Sequence, residues 1–160
     1  MYGALATPTP SGTPQPGRSG YRPANFQPTP ICIMSNILFI ESDRLLAKNV
    51  EKALRRAGHK VRHVVDPQTA IFAADSKTPD LVILDLMLAG RSGTEFLYEF
   101  RSYPDWSQVP IIIFSTLPVG EVTAYQAELS KLNIRNFFYK PDTSLSQLVQ
   151  AVNLLATIQS

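Results

Sequence analysis

Cysteine is almost absent from this sequence of 160 residues, in which Cys32 is the only one. A single thiol excludes an internal disulfide and any metal site built from several thiolates. No apolar run approaches the ~20 residues that a membrane-spanning helix needs, and no basic segment leads into a long apolar stretch as in a secretory signal. We therefore expect a cytoplasmic protein that makes no membrane contact.

Acidic residues are missing from the first 40 positions, because none of the 13 occurs before Glu41. Arg18 and Arg22 are the only basic residues in that region, and the other 13 basic residues balance the 13 acidic ones. A neutral folded part argues against a nucleic-acid partner, which would need a basic surface. A small local basic patch stays open.

Large apolar side chains are scarce in residues 1–33, and the first 30 positions hold 7 of the 13 prolines and 4 of the 8 glycines. Such a segment cannot bury enough surface to offset its ordering entropy, so we predict a disordered tail with polyproline character. It is a docking tail for a proline-recognising groove, a passive tail, or sequence upstream of translation, since Met34 directly precedes the folded pattern. The folded domain is predicted at 34–160.

The rest of the chain alternates apolar runs with helical patterns. The predicted strands are 36–40, 60–65, 80–85, 109–115 and 136–140, and the predicted helices are 42–58, 67–75, 92–103, 119–133 and 144–158. Strands that are apolar throughout are buried on both faces, as parallel strands between helix layers are. Five strand–helix units in strict alternation predict an α/β fold with a doubly wound parallel sheet.

Polar side chains stand where four of these strands end. Glu41 and Asp43 follow the first strand, Asp85 ends the third, Ser115 ends the fourth and Lys140 ends the fifth. Sites in such sheets form outside the carboxyl ends of the strands. Taken singly, Ser115 is an ordinary turn residue and Lys140 an ordinary surface amine; together the residues predict a site.

The chemistry of this set centres on Asp85. Carboxylates that lie close together need a cation between them, and Mg²⁺ is a hard cation that accepts carboxylate oxygens. A carboxylate can also act as a nucleophile and form an acyl phosphate. Lys140 would then pair with Asp85 or with the phosphoryl group, and Ser115 would donate a hydrogen bond to it.

The stretch 36–158 resembles a bacterial response-regulator receiver domain. The similarity lies in "ILFIESD", "PDLVILDLMLAGRSG", "VPIIIFST" and "FFYKP". The resemblance implies a flavodoxin-like (βα)5 fold with strand order 2-1-3-4-5. It also implies that Asp85 is the phosphoacceptor, that Lys140 is the family's lysine, and that Ser115 and Phe137 are the switch residues. Mg²⁺ would be held by Glu41, Asp85 and the backbone carbonyl of Met87.

Four positions depart from the family pattern. Ser42 stands where the family has a second acidic residue that ligates the metal, so we expect weakened Mg²⁺ affinity. Asp43 could compensate, although neighbouring residues of an extended segment point opposite ways. Ala89 replaces a common proline, and Thr116 replaces a smaller residue and could crowd access to Asp85. Phe137 lacks the hydroxyl of the frequent tyrosine.

Three functions follow from these patterns. The first is a phosphorylation-dependent switch, not an enzyme in the usual sense, that takes phosphate from a histidine kinase or phosphotransfer protein and changes protein contacts through the 119–158 face. We expect a stand-alone receiver, or one whose output lies on another chain. The second is a pseudo-receiver that keeps the fold without metal-dependent phosphorylation, because of Ser42. The third is a phosphotransfer or hydrolase enzyme, for which no phosphate-cradling glycine loop is visible.

Overall fold

Five parallel strands form one sheet in a computed structural model of the protein, which describes residues 33–122 and 129–158. They are β1 (Asn36–Ile40), β2 (Lys60–Val64), β3 (Leu81–Leu84), β6 (Ile111–Ser115) and β7 (Ile134–Tyr139), in the order β2-β1-β3-β6-β7. Counted along the chain, this is the predicted order 2-1-3-4-5, which is therefore confirmed. A small antiparallel ladder of β4 (Met87–Leu88) and β5 (Arg91–Ser92), which the sequence did not predict, follows β3.

Helices cover both faces of the sheet. They are α1 (Arg44–Arg56), α2 (Pro67–Ser76), α3 (Gly93–Ser102), α4 (Val119–Val122) and α5 (Leu145–Ile158), with 3-10 turns at Pro104–Trp106, Ser130–Leu132 and Lys140–Asp142. None of the helices in the described ranges is long and apolar enough to cross a membrane.

Most predicted elements differ from the observed ones by one or two residues at an end, and two differ in other respects. In the predicted helix 119–133, residues 123–128 lie outside the described residues, and the end is a 3-10 turn rather than α-helix. That turn stops at Asn133, whose φ of 53° is left-handed, a conformation that asparagine tolerates. The predicted strand 136–140 instead begins at Ile134 and ends at Tyr139, so that Lys140 opens the next turn. The predicted tail, apart from residue 33, also lies outside the described residues.

The sheet separates two hydrophobic clusters. One cluster packs β-strand residues against α2 and α3, with Phe96, Phe100 and Trp106 at its centre. The other packs the opposite face against α1 and α5 through residues such as Leu54 and Val152. The central strands contribute to both, which is why β3 and β6 are buried along their whole length.

Side-chain caps fix where the first two helices begin. Asp43 accepts hydrogen bonds from the backbone N–H groups of Leu45 and Leu46, and Asp66 accepts one from Thr69. Pro67 occupies the first turn of α2, where its missing N–H costs nothing. These caps set the starts of α1 and α2 at the carboxyl ends of β1 and β2.

Candidate functional site

Glu41, Asp85, Ser115 and Lys140 meet at the carboxyl edge of the sheet, as their positions after four strands predict. Asp85 directly follows β3, and its N–H donates to the carbonyl of Ile40 in β1 across 3.0 Å. Glu41, Asp85 and Ser115 expose only 1%, 2% and 0% of their surface. Buried carboxylates are costly unless they are paired and hydrogen-bonded, so the contacts around them decide what this site can do.

Both oxygens of the Asp85 carboxylate are engaged. Ser115 Oγ donates to Asp85 Oδ1 across 2.6 Å, and the backbone N–H of Met87 donates to the same oxygen across 2.9 Å. Lys140 Nζ donates to Asp85 Oδ2 across 2.5 Å. Three donors from three separate segments therefore hold one carboxylate in a fixed orientation.

Lys140 bridges the two buried acids. Its ammonium group also donates to Glu41 Oε2 across 2.5 Å, and only 10% of its side chain is exposed. The group lies 5.7 Å from the centre of the Phe114 ring, within cation–π range. Two carboxylates share one ammonium, which leaves this pocket negatively charged and attractive to a further cation.

The loop after β1 sends its three polar side chains in different directions. Glu41 turns inward, where its Oε1 accepts from the N–H of Asp43 across 2.8 Å. Ser42 Oγ accepts from the N–H of Ala89 across 3.1 Å and so contacts the loop that follows Asp85. Asp43 is exposed and caps α1, so the structure does not bring its carboxylate to Asp85.

Two further residues shape the site, and the sequence did not predict their roles. His63 Nε2 lies 2.8 Å from the carbonyl oxygen of Glu41, and its ring lies 5.7 Å from that of Phe39. A lone histidine on a strand gave no signal for this role. Gly93 opens α3 so close to β3 that an added Cβ would lie 2.2 Å from the carbonyl oxygen of Asp85. Only glycine fits there, which explains the glycine that closes the motif after Asp85.

The donors present fit a hard divalent cation. Glu41 and Asp85 supply carboxylate oxygens, and the predicted third donor is the carbonyl of Met87, two residues beyond Asp85. In the described parts of the chain, no group of three or more His, Cys, Asp or Glu side chains is placed to hold a metal. Mg²⁺ needs only one or two carboxylates beside water and phosphate oxygens, so the chemistry of the set suits Mg²⁺.

The predicted switch residues lie on neighbouring strands. Ser115 is opposite Tyr139 in the register of β6 and β7, and Ile113 is opposite Phe137. Phe137 is partly buried against the cluster that contains α3. Thr116 is exposed directly after Ser115. The hydroxyl that contacts Asp85 and the aromatic ring of Phe137 thus lie two positions apart in register across the β6–β7 pair.

Known proteins are similar to this chain in sequence and in fold. The chain is 34% identical over 82 residues to the KDP operon transcriptional regulatory protein KdpE of Escherichia coli (strain K12), a match that covers 51% of this chain and 35% of that protein. It is 33% identical over 99 residues to the sensory transduction protein RegX3 of Mycobacterium tuberculosis (strain ATCC 25618 / H37Rv), which covers 62% of this chain and 39% of that protein. The matched part thus spans well under half the length of these relatives.

Solved structures show the same fold. A putative response regulator from Chloroflexus aurantiacus J-10-fl superposes with a TM-score of 0.67 at 24% identity, covering 78% of this chain and 98% of that one. Chemotaxis protein CheY4 of Vibrio cholerae superposes with a TM-score of 0.67 at 20% identity, covering 76% and 98%. The fold is therefore the flavodoxin-like α/β fold that the sequence resemblance implies.

The decisive match is to a protein family. Residues 37–153 match the response regulator receiver domain, a stretch that runs from β1 into α5 and contains the whole Asp85 site. The chain belongs to the response regulator receiver domain family.

Proposed function

We propose that the protein is a phosphorylation-dependent signalling switch and that Asp85 accepts the phosphoryl group. The observation that carries this proposal is the state of the Asp85 carboxylate, which is buried at a strand end and held by Ser115, Lys140 and the N–H of Met87. A fixed carboxylate beside an ammonium and a hydroxyl is a nucleophile with two donors for a phosphoryl group close to it.

Membership of the receiver-domain family supports the proposed place of the protein in a two-component system. Response regulator receiver domains are signalling modules of two-component systems, not classical enzymes, and they interact with histidine kinases and phosphotransfer proteins. The donor that we propose is therefore a phosphohistidine on such a protein. The natural donor would be the protein that transfers its phosphoryl group to Asp85.

The proposed step exchanges one bond to phosphorus for another. A carboxylate oxygen of Asp85 attacks the phosphorus atom, an O–P bond forms, and the P–N bond to the donor imidazole breaks with its electron pair returning to nitrogen. Lys140 and Ser115 then donate to the phosphoryl oxygens, a role that requires the ammonium to move from Asp85 Oδ2 to the new group. Both donors act by position and charge.

The residues that would hold Mg²⁺ are Glu41, Asp85 and the carbonyl of Met87, and the bound ion would neutralise charge on the phosphoryl oxygens. We propose that affinity is low, for three reasons. Ser42 supplies no charge where a second acid would, and Asp43 is engaged as the α1 cap. Any cation must also compete with Lys140 for oxygens of Glu41 and Asp85.

The proposed output is a change in the face formed by residues 119–158. Phosphorylation draws Ser115 toward the phosphoryl group, and the ring of Phe137 follows into the space that is vacated. Because Phe137 packs against the cluster that includes residues of α3 and lies on β7 three positions before Lys140, its rotation alters a surface that a partner protein can read. The change is a shift between two populations of one fold.

A second candidate is a pseudo-receiver that binds partners without being phosphorylated. The observation that favours it is the bridge of Lys140 between Glu41 and Asp85, which already satisfies the buried acids without a metal. Ser42 adds to it, since its hydroxyl contacts the backbone of Ala89.

The deciding experiment is intact-protein mass spectrometry after incubation with a small-molecule phosphodonor, with and without Mg²⁺. The wild type should gain one phosphoryl group in the presence of Mg²⁺, and Asp85→Asn should gain none. Asp105→Asn, which changes an exposed acid in the turn Pro104–Trp106 that precedes β6, is the matched control and should label as the wild type does. Absence of labelling under conditions that label another receiver would favour the pseudo-receiver.

A further inference from the structure

Positive charge is concentrated on one side of this nearly neutral protein. Between residues 44 and 62 the sequence has seven basic residues and one acidic residue. The basic ones are Arg44, Lys48, Lys52, Arg55, Arg56, Lys60 and Arg62. Five of them lie on α1 and two on β2, which is an edge strand of the sheet, and all seven are exposed. Arg62 turns toward α2, where it donates to the carbonyl of Ala73 and to Ser76 Oγ, so the row on α1 carries the argument. This side of the molecule is therefore strongly electropositive.

A cavity lies within this surface, between the helix and the edge strand. It measures about 220 Å³ and is lined by Arg44, Lys48 and Glu51 of α1 and by His63 and Val65. Arg44, Lys48, Glu51 and Arg55 follow a helical spacing that places them along one face of α1. The cavity therefore presents two cations, one carboxylate and an imidazole ring around a small concave space.

The two cations in this cavity have no partner among the residues that the structure describes. Within residues 33–122 and 129–158, the side chains of Arg44 and Lys48 form no hydrogen bond or ion pair. Glu51, the one acid present, is held by Arg55 through contacts of 2.9 Å and 2.6 Å. As far as the described ranges extend, the cavity thus keeps two unpaired cations while its carboxylate is already paired.

We propose that the face formed by α1 and the free edge of β2, called here the α1–β2 face, is a docking surface for an acidic segment of a partner protein. A carboxylate of that segment would enter the cavity between Arg44 and Lys48, and a second would follow one helical turn along α1. This inference concerns α1 and β2, which lie outside residues 119–158, and it does not depend on phosphorylation of Asp85.

Two observations favour a protein over a nucleic acid as the occupant. Glu51 interrupts the row of cations, so a continuous phosphate backbone would meet a carboxylate, whereas separate acidic side chains can avoid it. Leu45, which is 73% exposed, lies next to Arg44 and one turn from Lys48. An apolar side chain among charges is typical of protein interfaces, whose centres are less charged than their rims.

The test uses the full chain and a synthetic helical peptide with two glutamates one turn apart and a leucine, labelled for fluorescence anisotropy. The double reversal Arg44→Glu/Lys48→Glu should weaken binding by about tenfold, because attraction becomes repulsion at both positions. The reversal Lys131→Glu/Arg135→Glu makes the same charge change at exposed positions elsewhere and should alter affinity by less than about twofold. Thermal unfolding of each variant checks that the fold is retained.

Three results would overturn the proposal. The first is an equal loss of peptide affinity in the two double reversals, which would mean that binding depends on the net charge of the protein and not on these positions. The second is tighter binding of duplex DNA than of the peptide with the same sensitivity to Arg44→Gln/Lys48→Gln. The third is absence of peptide binding by the wild type at low ionic strength. Two results together would support it. The wild type should bind the peptide with glutamates and not the same peptide with glutamines in their place. Only the Arg44 and Lys48 variants should lose that binding.

Discussion

Lys140 Nζ lies 2.5 Å from Asp85 Oδ2, so a side chain that follows the last strand of the sheet pairs with a carboxylate at the end of the central one. The two residues are 55 positions apart in sequence. Only the return of β7 to the side of β6 brings them together. Because the same ammonium contacts Glu41, this one cation balances much of the buried negative charge of the site.

Replacing Lys140 with methionine should lower the free energy of unfolding by about 3 kcal/mol, because two buried carboxylates would lose the cation that contacts both. Urea unfolding measures the change. The double variant Lys140→Met/Asp85→Asn should recover part of the loss, since one buried charge then remains. If the double variant is less stable than Lys140→Met alone, mutual repulsion between Glu41 and Asp85 is not what the lysine relieves.

Gly93→Ala should lower the free energy of unfolding by about 2 kcal/mol or more, because the new Cβ would overlap the carbonyl oxygen of Asp85 and the backbone there must shift. Chemical denaturation checks the stability, and phosphodonor labelling checks whether Asp85 keeps its position. Gly120→Ala is the matched control, because nothing lies within 4 Å of its added Cβ. Equal effects of the two substitutions would argue against the close approach at Gly93.

Ser42→Asp should raise the affinity for Mg²⁺ by about tenfold, because a carboxylate would join Glu41 and Asp85 at the edge of the pocket. An NMR titration of the protein with Mg²⁺ measures the dissociation constant. Ser42→Asn, which has nearly the same shape without the charge, is the control and should leave affinity close to that of the wild type. Similar affinities for the aspartate and asparagine variants would mean that position 42 does not reach the metal.

Asp66 caps α2, and hydrogen bonds from the backbone and hydroxyl of Thr69 lower the pKa of its carboxyl group. A lowered pKa means that the cap contributes stability above the unfolded value of 3.8 and loses it as pH falls through the folded value. Asp66→Ala should therefore cost about 1 kcal/mol at neutral pH and progressively less in acid. Melting temperatures measured across the acidic range test this, with Asp75→Ala on the same helix as control. A loss that stays constant down to strong acid would contradict it.

Arg101 joins three segments beneath the β6–β7 edge. Its guanidinium donates to the carbonyl oxygens of Leu132, Trp106 and Val109 at 2.6 to 2.7 Å, and burial lowers its pKa to about 10, so it stays charged at neutral pH. Arg101→Ala should cost about 2 to 4 kcal/mol, because three carbonyls lose a charged donor. Arg101→Lys should recover only part of this, since one ammonium cannot match the planar fork. Denaturant unfolding of both variants provides the comparison, and full recovery by lysine would contradict the geometric argument.

The positions of the main elements and of the site could be predicted from the sequence because burial imposes a pattern on it. Strands such as β3 and β6, buried on both faces, require runs like "LVIL" and "IIIF", and these end where polar residues begin. Parallel strands place their carboxyl ends at one edge, so Asp85, Ser115 and Lys140 were predicted to meet. The start of the edge strand β7 was less clear, because the polar Arg135 separates Ile134 from the rest of the strand, and the predicted strand therefore begins only at residue 136.

Other features required the folded chain, because they depend on direction and contact between distant segments. The contact of Ser42 with Ala89 and the ladder of β4 and β5 after Asp85 have no signal in the sequence. An aspartate just before a helix is a common cap, but only the structure shows that this role, and not the metal, takes the carboxylate of Asp43. The role of His63 likewise depends on its place beside the carbonyl of Glu41. The local sequence pattern thus determined which residues lie at the carboxyl edge of the sheet. Tertiary packing decided which oxygen each donor contacts, because the orientation of a side chain is set by neighbours that are far apart in sequence.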